Sequence, residues 1–252
     1  MSECGITQNP IFFAMHHKCG NTYVTNVMNE FVKEASHPEF HFKTVRAQEF
    51  ISNPDISAYA DNTITRLRNF TLEMVSQLPS NSIVITFKRD PRSLIVSCAD
   101  YHSKGPEAWT LMPNEKYGGK PYYYYLSSAA SDEDRLIISM ENRAGVIIRN
   151  MSTFIDAPDI LSVKLEDVSR DESCQIYDDI CKYMQLSEHN HNILSRIFKK
   201  HSLWYMKTNT GLLPNHSTSG VSKDSINRLQ GRALERYQEL FGDIHLRLGY
   251  PE

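Results

Sequence analysis

Neither sign of charge dominates the chain. Its 252 residues carry 27 Lys and Arg against 30 Asp and Glu, a formal net charge of −3. That balance excludes a broad electrostatic grip on nucleic acid and leaves room only for a local basic pocket. No apolar run approaches the roughly 20 residues that span a bilayer, so no membrane partner is expected. Met1-Ser2-Glu3-Cys4-Gly5 lacks a basic stretch, and Ile11 to Met15 is too short for a signal-peptide core, which points to a cytoplasmic protein. The five cysteines, Cys4, Cys19, Cys98, Cys174 and Cys181, are odd in number and form no C-x-x-C. A disulfide framework and a zinc ribbon are therefore not expected, and no His-Glu-x-x-His run points to a metal. Gly and Pro, 11 each, are too few for a collagen-like or linker-dominated chain.

What is present is a folding composition, 40% hydrophobic and 23% charged. The length fits a single domain over residues 1–252. Ile11-Phe12-Phe13-Ala14-Met15 is continuous and apolar, as in a strand buried on both faces. After the polar turn His16 to Asn21, Tyr23, Val24, Val27, Met28, Phe31, Val32 and Ala35 recur at helical spacing. Ile83 to Phe87 repeats the strand, Lys88-Arg89-Asp90-Pro91 the turn, and Arg92 to Tyr101 the helix, with Pro91 suited to a first helical turn. Further strands are expected at Thr63–Leu67 and Ile160–Leu165, and helices at Phe70–Leu78, Ser173–Met184, Asn190–Phe198 and Lys223–Phe241. Ser131 with Asp132, Glu133 and Asp134 forms a helix start, and the period from Leu136 to Met151 predicts one continuous helix.

Buried strands alternating with amphipathic helices predict an α/β fold, a central, mainly parallel sheet flanked by helices. Ligands in such folds bind beyond the carboxyl ends of the strands, where both turns lie. The segment Ser103–Ala130 has no periodicity and carries Trp109, Tyr117 and Tyr122 to Tyr125. Two readings stand: an acceptor-side loop or lid, or a surface loop packed by its own aromatics.

Lys18-Cys19-Gly20-Asn21-Thr22-Tyr23, between strand and helix, is a candidate anion cradle. Gly20 permits close backbone approach, the helix start offers N–H groups, and Lys18 adds charge. It is P-loop-like in position, yet G-x-x-x-x-G-K-[ST] is absent. In the second unit, Arg89 ends a strand and Ser97 stands two turns into the next helix, both able to donate to a phosphate.

Together these motifs resemble the sulfotransferases that use 3′-phosphoadenosine 5′-phosphosulfate (PAPS). Lys18-Cys19-Gly20-Asn21-Thr22 is similar to that family's Lys-x-Gly-Thr-Thr, and Arg89-Asp90-Pro91 with Ser97 to its Arg-Asp/Asn-Pro followed by Ser. Lys164 to Val168 looks like its Tyr-Glu-Asp-Leu, while Asn215 to Val221 only loosely matches its Arg-Lys-Gly loop. The resemblance implies a single α/β domain with a phosphosulfate-binding turn, and transfer of a sulfuryl group from PAPS to a hydroxyl or amine with release of 3′,5′-bisphosphate (PAP), without a metal. Lys18 would contact the bridging oxygen and sulfonate. Gly20, Asn21 and Thr22 would hold the 5′-phosphate, Tyr23 would stack on adenine, and Arg89 and Ser97 would hold the 3′-phosphate.

The sequence departs from the family in three places. Asn21 replaces a Thr, a change that keeps hydrogen-bonding capacity. The Arg-Lys pair of the last loop is missing, with His216 and Ser219 in that region, which leaves the 3′-phosphate held either less strongly or by Lys223. The family's His base falls on the strand before the Arg motif, but Thr63-Ile64-Thr65-Arg66-Leu67-Arg68-Asn69 contains no His. Candidate bases are His16, His17, His41, Glu49 and His102, with His17 and His41 favoured. A small-molecule acceptor is expected, polar or cationic, because aromatics of the 103–130 segment stand near Asp132, Glu133 and Asp134. Alternatives are a glycan sulfotransferase, a nucleotide kinase-like enzyme, or a nucleotide-binding protein without catalysis. The oligomeric state is left open.

Overall fold

The computed structural model describes residues 9–35, 41–52, 63–105, 107–211 and 226–251. Cys4, Asn215 to Val221 and Lys223, named above, lie outside the described residues. In chain order the elements are β1 (Ile11–Met15), α1 (Asn21–Glu34), β2 (His41–Arg46), α2 (Ala47–Ser52), β3 (Thr63–Arg68), α3 (Leu72–Val75), β4 (Ile83–Lys88), α4 (Pro91–His102), α5 (Tyr122–Ser127), α6 (Asp132–Glu141), α7 (Arg143–Ser152), β5 (Ile160–Lys164), α8 (Leu165–Arg170), α9 (Gln175–Tyr183), α10 (Glu188–His201), α11 (Leu203–Thr210), α12 (Gly231–Phe241) and α13 (Ile244–Arg247). The chain divides into two compact units: Met1–Lys88 with Thr153–Gly220, and Arg89–Ser152 with Val221–Glu252.

The first unit holds the whole sheet. All five strands are parallel, in the order β2-β3-β1-β4-β5. The α/β class with a parallel sheet flanked by helices is thus as expected from the alternation of buried strands and amphipathic helices. From β1 the chain builds β2 and β3 on one side, then β4 and β5 on the other, so the strand order reverses beside β1. The carboxyl end of β1 is therefore the place where this topology leaves a crevice.

β1 is apolar throughout because it has two cores to serve. Ile11, Phe13 and Met15 pack with Val24, Val27, Met28 and Phe31 of α1 and with Tyr177, Ile180, Leu194 and Phe198 of α9 and α10. Phe12 and Ala14 face the other side, among Phe50, Leu67, Phe70, Val84 and Phe154. Each fully buried large side chain contributes about 1.5–3 kcal/mol, so this double packing fixes β1 and the turn that follows it. β2 was not anticipated. It is an edge strand in which Val45 alone is buried, and His-Phe-Lys-Thr-Val-Arg offers no apolar run to mark it.

In the second unit, α4 starts as its sequence dictates. Asp90 accepts from the Arg92 amide at 2.9 Å and Pro91 occupies the first turn. The helix expected from Leu136 to Met151 is two helices, α6 and α7, broken at Asn142 (φ −120, ψ −113). A Cβ on Gly145 would run into the Met140 carbonyl oxygen, so the break requires glycine there. The apolar period survives the break, which is why the sequence pattern reads as continuous.

Candidate functional site

The turn after β1 is built from alternating backbone conformations. Lys18 (φ 63) and Gly20 (φ 88) both adopt left-handed geometry, and the Cys19 amide donates to the His16 carbonyl at 3.3 Å. Gly20 is the N-cap of α1 and makes no side-chain cap. The amides of Asn21, Thr22 and Tyr23 open the helix, where no intrahelical acceptor exists for them. Backbone donors and the positive helix end stand beside Lys18 on this turn, an arrangement able to hold an anion. The side chains differ in their duties. Asn21 Nδ2 donates to the His16 carbonyl at 2.6 Å, so its amide ties the turn together. Thr22 is exposed at the first turn. The Tyr23 hydroxyl donates to the Phe198 carbonyl at 2.9 Å, and burial raises its pKa well above the phenol range, Tyr177 adding to the effect. Tyr23 is thereby committed to the α1–α10 packing rather than presented as a free ring.

Behind the cradle stands a residue that the sequence reading passed over. Arg66, on β3, is 9% exposed, and its Nη1 donates to the Asn21 carbonyl at 3.0 Å and to Thr25 Oγ1. Burial, and then the charge of Arg68, lower its pKa to about 10. Its Nε is buried with no hydrogen-bond partner among the described residues. The only sequence signal was two arginines, at 66 and 68, on a strand otherwise fit for a core.

The candidate bases separate clearly. His17, adjoining Lys18, is buried at 9% exposure. His16 is 3% exposed, stands edge-on to Phe154 with ring centres 5.2 Å apart, and is depressed by burial to a pKa of about 4. His41 opens β2 opposite Thr63, at the amino edge of the sheet, so it is not brought together with Lys18. Five residues of parallel strand put that edge about 16 Å from the carboxyl edge. Glu49 is exposed on α2 and accepts from the Arg46 amide at 3.0 Å. His102, in the second unit, is fully buried, with its Nε2 3.7 Å from a Glu107 carboxylate oxygen.

In that second unit, Arg89 and Ser97 are both buried, at 7% and 4% exposure. The guanidinium of Arg89 donates to Ser93 Oγ from Nε at 3.3 Å and from Nη2 at 3.0 Å. Ser93, one helical turn on, thus orients the Arg; the sequence reading assigned it nothing. Ser97 Oγ is buried with no hydrogen-bond partner among the described residues. A buried hydroxyl without a partner costs free energy unless something supplies one. That orphan is what a phosphate oxygen would satisfy.

The 103–130 segment is folded on itself. Trp109 stacks on Tyr122 and Tyr117 on Tyr125, with centroids 5.5 and 5.1 Å apart, and the Arg143 guanidinium lies 5.6 Å from the Trp109 ring. Trp109 and Tyr124 remain 40% and 43% exposed. The neighbouring acids are spent on cations. Asp132 pairs with Arg135 and with Arg228 (2.8 Å), Glu133 with Arg232 (3.3 Å) and Asp134 with Arg232 (3.0 Å). These pairs join α6 to α12 through Arg232 and to Arg228 just before it.

No protein-family model and no curated protein sequence matches the chain. Solved structures do. The crystal structure of the mouse sulfotransferase SULT7A1 complexed with PAP aligns with a TM-score of 0.53 and 14% identity, over 95% of this chain and 85% of that one. The fold is that of sulfotransferases. A sulfotransferase from Alicyclobacillus acidocaldarius aligns over 95% of this chain and 97% of its own at 16% identity, with a TM-score of 0.46. In this sulfotransferase fold the parallel sheet carries the Lys18 turn at its centre, and no helix among the described residues is long and apolar enough to cross a membrane.

Proposed function

We propose that the chain is a PAPS-dependent sulfotransferase, moving a sulfuryl group from PAPS to a hydroxyl or amine of a small-molecule acceptor and releasing PAP. The observation that carries this reading is the pair of anion-binding devices, the Lys18–Tyr23 cradle and the Arg89–Ser97 element, on a sulfotransferase fold. PAPS offers an oxyanion group at each of two ribose positions, and the two motifs match that demand. The amides opening α1 hold the 5′-phosphosulfate, with Gly20 allowing close approach. Arg89, oriented by Ser93, holds the 3′-phosphate together with Ser97. Asn21 contributes its amide N–H and its hold on the turn. The missing Walker A motif disfavours the kinase-like alternative.

Sulfuryl transfer follows the logic of phosphoryl transfer, in which positioning and charge stabilisation dominate. Lys18 neutralises the charge that develops on the oxygen leaving with PAP. The acceptor's proton needs a base, and its position next to Lys18 in the chain supports His17 over His41, which opens β2 at the amino edge of the sheet. The exposed aromatics of the 103–130 segment and the lack of a broad basic track support a compact acceptor over a long glycan.

The test is a thermal-shift titration with PAP and AMP, followed by sulfate transfer from PAPS. PAP at 100 times its Kd should add about 2.7 kcal/mol of stability, and AMP much less. Lys18→Ala should depress kcat far more than PAP affinity, and Arg89→Ala the reverse. Equal shifts with the two nucleotides would remove the 3′-phosphate reading, and Lys18→Ala with normal kcat would remove Lys18 from the chemistry.

A further inference from the structure

The carboxyl edge of the sheet is lined with cations well beyond the cradle. β2 ends in Arg46, β3 in Arg68, β4 in Lys88 and β5 in Lys164. The register sets Arg46 opposite Arg68, Arg68 opposite Met15, and Lys88 opposite Lys164. Lys88 has an acid in its field, Asp167. The β2–β3 side is different. Arg46 is exposed and stands 3.9 Å from Glu49, a surface pair of little worth. Arg68 is half-buried, and its side chain makes no hydrogen bond or ion pair with the described residues.

The direction of Arg68 follows from Arg66. Residues two apart on a strand share a face, so Arg68 lies on the α1 side of the sheet. The Arg66 guanidinium already reaches the first turn of α1. Arg68 stands two residues farther along β3, about 6.6 Å closer to the ligand edge. The Asn69 amide donates to the Met15 carbonyl at 2.9 Å, which holds the end of β3 beside the start of the cradle turn. Two like charges, one of them buried and short of a partner at Nε, raise the energy of this corner unless an anion joins them. The cradle takes the donor at β1, and the chain continues into the Arg89 motif from β4. The β3–β2 side is the flank of the cradle left over.

We propose that Arg68, with Arg46 beside it, is an anion subsite for the acceptor, so that the acceptor carries a carboxylate, phosphate or sulfate in addition to its nucleophilic hydroxyl or amine. The inference rests on the sulfotransferase reading and narrows its acceptor class. An Arg fork suits any of these oxyanions, and one such group on a small molecule needs no extended basic track. Arg68 acts in binding and orientation, holding the acceptor beside the turn that carries Lys18.

The experiment uses the full chain saturated with PAP, with 4-hydroxybenzoate, its neutral analogue 4-hydroxybenzamide, and inorganic phosphate as probes in calorimetry. The expected result is that wild-type protein binds the benzoate at least about tenfold more tightly than the amide, and binds phosphate saturably. R68Q should erase that preference and the phosphate site, and R68K should restore part of both. PAP affinity should stay within about twofold in every variant. With PAPS as donor, the preference should appear in the KM of the benzoate and disappear in R68Q. A wild-type protein that binds neither anion, or binds the two benzoyl probes equally, overturns the proposal. So does an R68Q protein that keeps the preference, and one that loses PAP affinity to the same degree, which would place Arg68 with the donor. Failure of wild-type protein to bind PAP at all overturns the sulfotransferase reading itself, and the subsite with it.

Discussion

Arg66 Nη1 donates to the Asn21 carbonyl at 3.0 Å, joining β3 to the first residue of α1 across 45 positions of sequence. A cation beside the positive end of a helix is electrostatically misplaced until an anion occupies that end. Arg66 is nonetheless buried there, and Thr25 Oγ1, which donates to the same carbonyl at 2.6 Å, accepts from it as well. The arrangement is explicable as a support for an anion-binding turn and poorly explicable as a support for the empty fold.

Arg66→Gln should therefore weaken PAP binding more than it weakens the fold. Losing charge-assisted hydrogen bonds costs about 1.5–3 kcal/mol, but relief of a buried charge offsets much of that in the ligand-free protein. PAP affinity should fall by about tenfold, because a bound anion loses both a nearby cation and a fixed turn. Urea unfolding and PAP calorimetry on the same preparation separate the two effects. A large stability loss with unchanged affinity would make Arg66 a purely structural residue.

Gly20→Ala tests the cradle directly. At φ 88 an added Cβ would stand 2.9 Å from Leu165 Cδ1 and 3.3 Å from Phe87 Cδ2. The left-handed conformation alone costs a non-glycine residue about 1–2 kcal/mol, and the contact adds to it. Leu165→Ala in the same chain should relieve the contact while leaving the conformational cost. A double-mutant cycle on unfolding free energies should thus show positive coupling between the two positions. Strict additivity would mean that Leu165 yields freely and that only the backbone matters.

Much of this was legible in the sequence, and the exceptions have physical reasons. β1, β4 and the turns after them announce themselves because a strand buried on both faces must be continuously apolar. The break at Asn142 hides because two short helices keep the apolar period of one long one, leaving only Gly145 as a sign. β2 hides because an edge strand with one buried residue carries no pattern. Asp132, Glu133 and Asp134 were legible as acids, but apart from Arg135 beside Asp132 their Arg partners lie about 100 positions later, a relation that spacing cannot show. Arg66 and Arg68 registered only as the absence of a histidine, since a side chain's partner across a sheet is a tertiary fact.

Ser93 and Ser97 should respond in opposite ways to removal of their hydroxyls. Ser93 Oγ accepts twice from Arg89, so Ser93→Ala removes two hydrogen bonds from a buried guanidinium and should destabilise the ligand-free fold by about 1–3 kcal/mol. Ser97 Oγ has no partner to lose among the described residues, so Ser97→Ala should leave the ligand-free stability unchanged or slightly raised. In PAP titrations Ser97→Ala should cost about tenfold to a hundredfold in affinity, the worth of one hydrogen bond to a charged group. Thermal melts with and without PAP read both quantities. Loss of ligand-free stability in Ser97→Ala would show that its hydroxyl is satisfied within the fold.

His16 should make the fold acid-sensitive above the usual carboxylate range. Its ring is buried against Phe154, and desolvation lowers its pKa from 6.5 to about 4. Between those values the unfolded chain binds a proton that the folded chain refuses, so unfolding free energy rises with pH across that window. The neutral ring's contribution is fully present above pH 6.5 and is lost as pH falls through about 4. A shift of this size corresponds to about 3 kcal/mol, the largest effect the site can exert. Carboxylates held low by hydrogen bonds, such as Asp132 bound to Arg228, also release stability in acid, but they do so in any His16 variant as well. The readout is therefore a difference. His16→Phe removes the titration while keeping a ring against Phe154, and urea unfolding at intervals from pH 7 to pH 4 gives its stability beside that of wild-type protein. The gap between the two should be constant at the neutral end and should move against wild-type protein by about 1.4 kcal/mol per pH unit below it. A gap that stays flat throughout would mean that His16 is protonated in the fold as readily as in water, and that its ring reaches solvent.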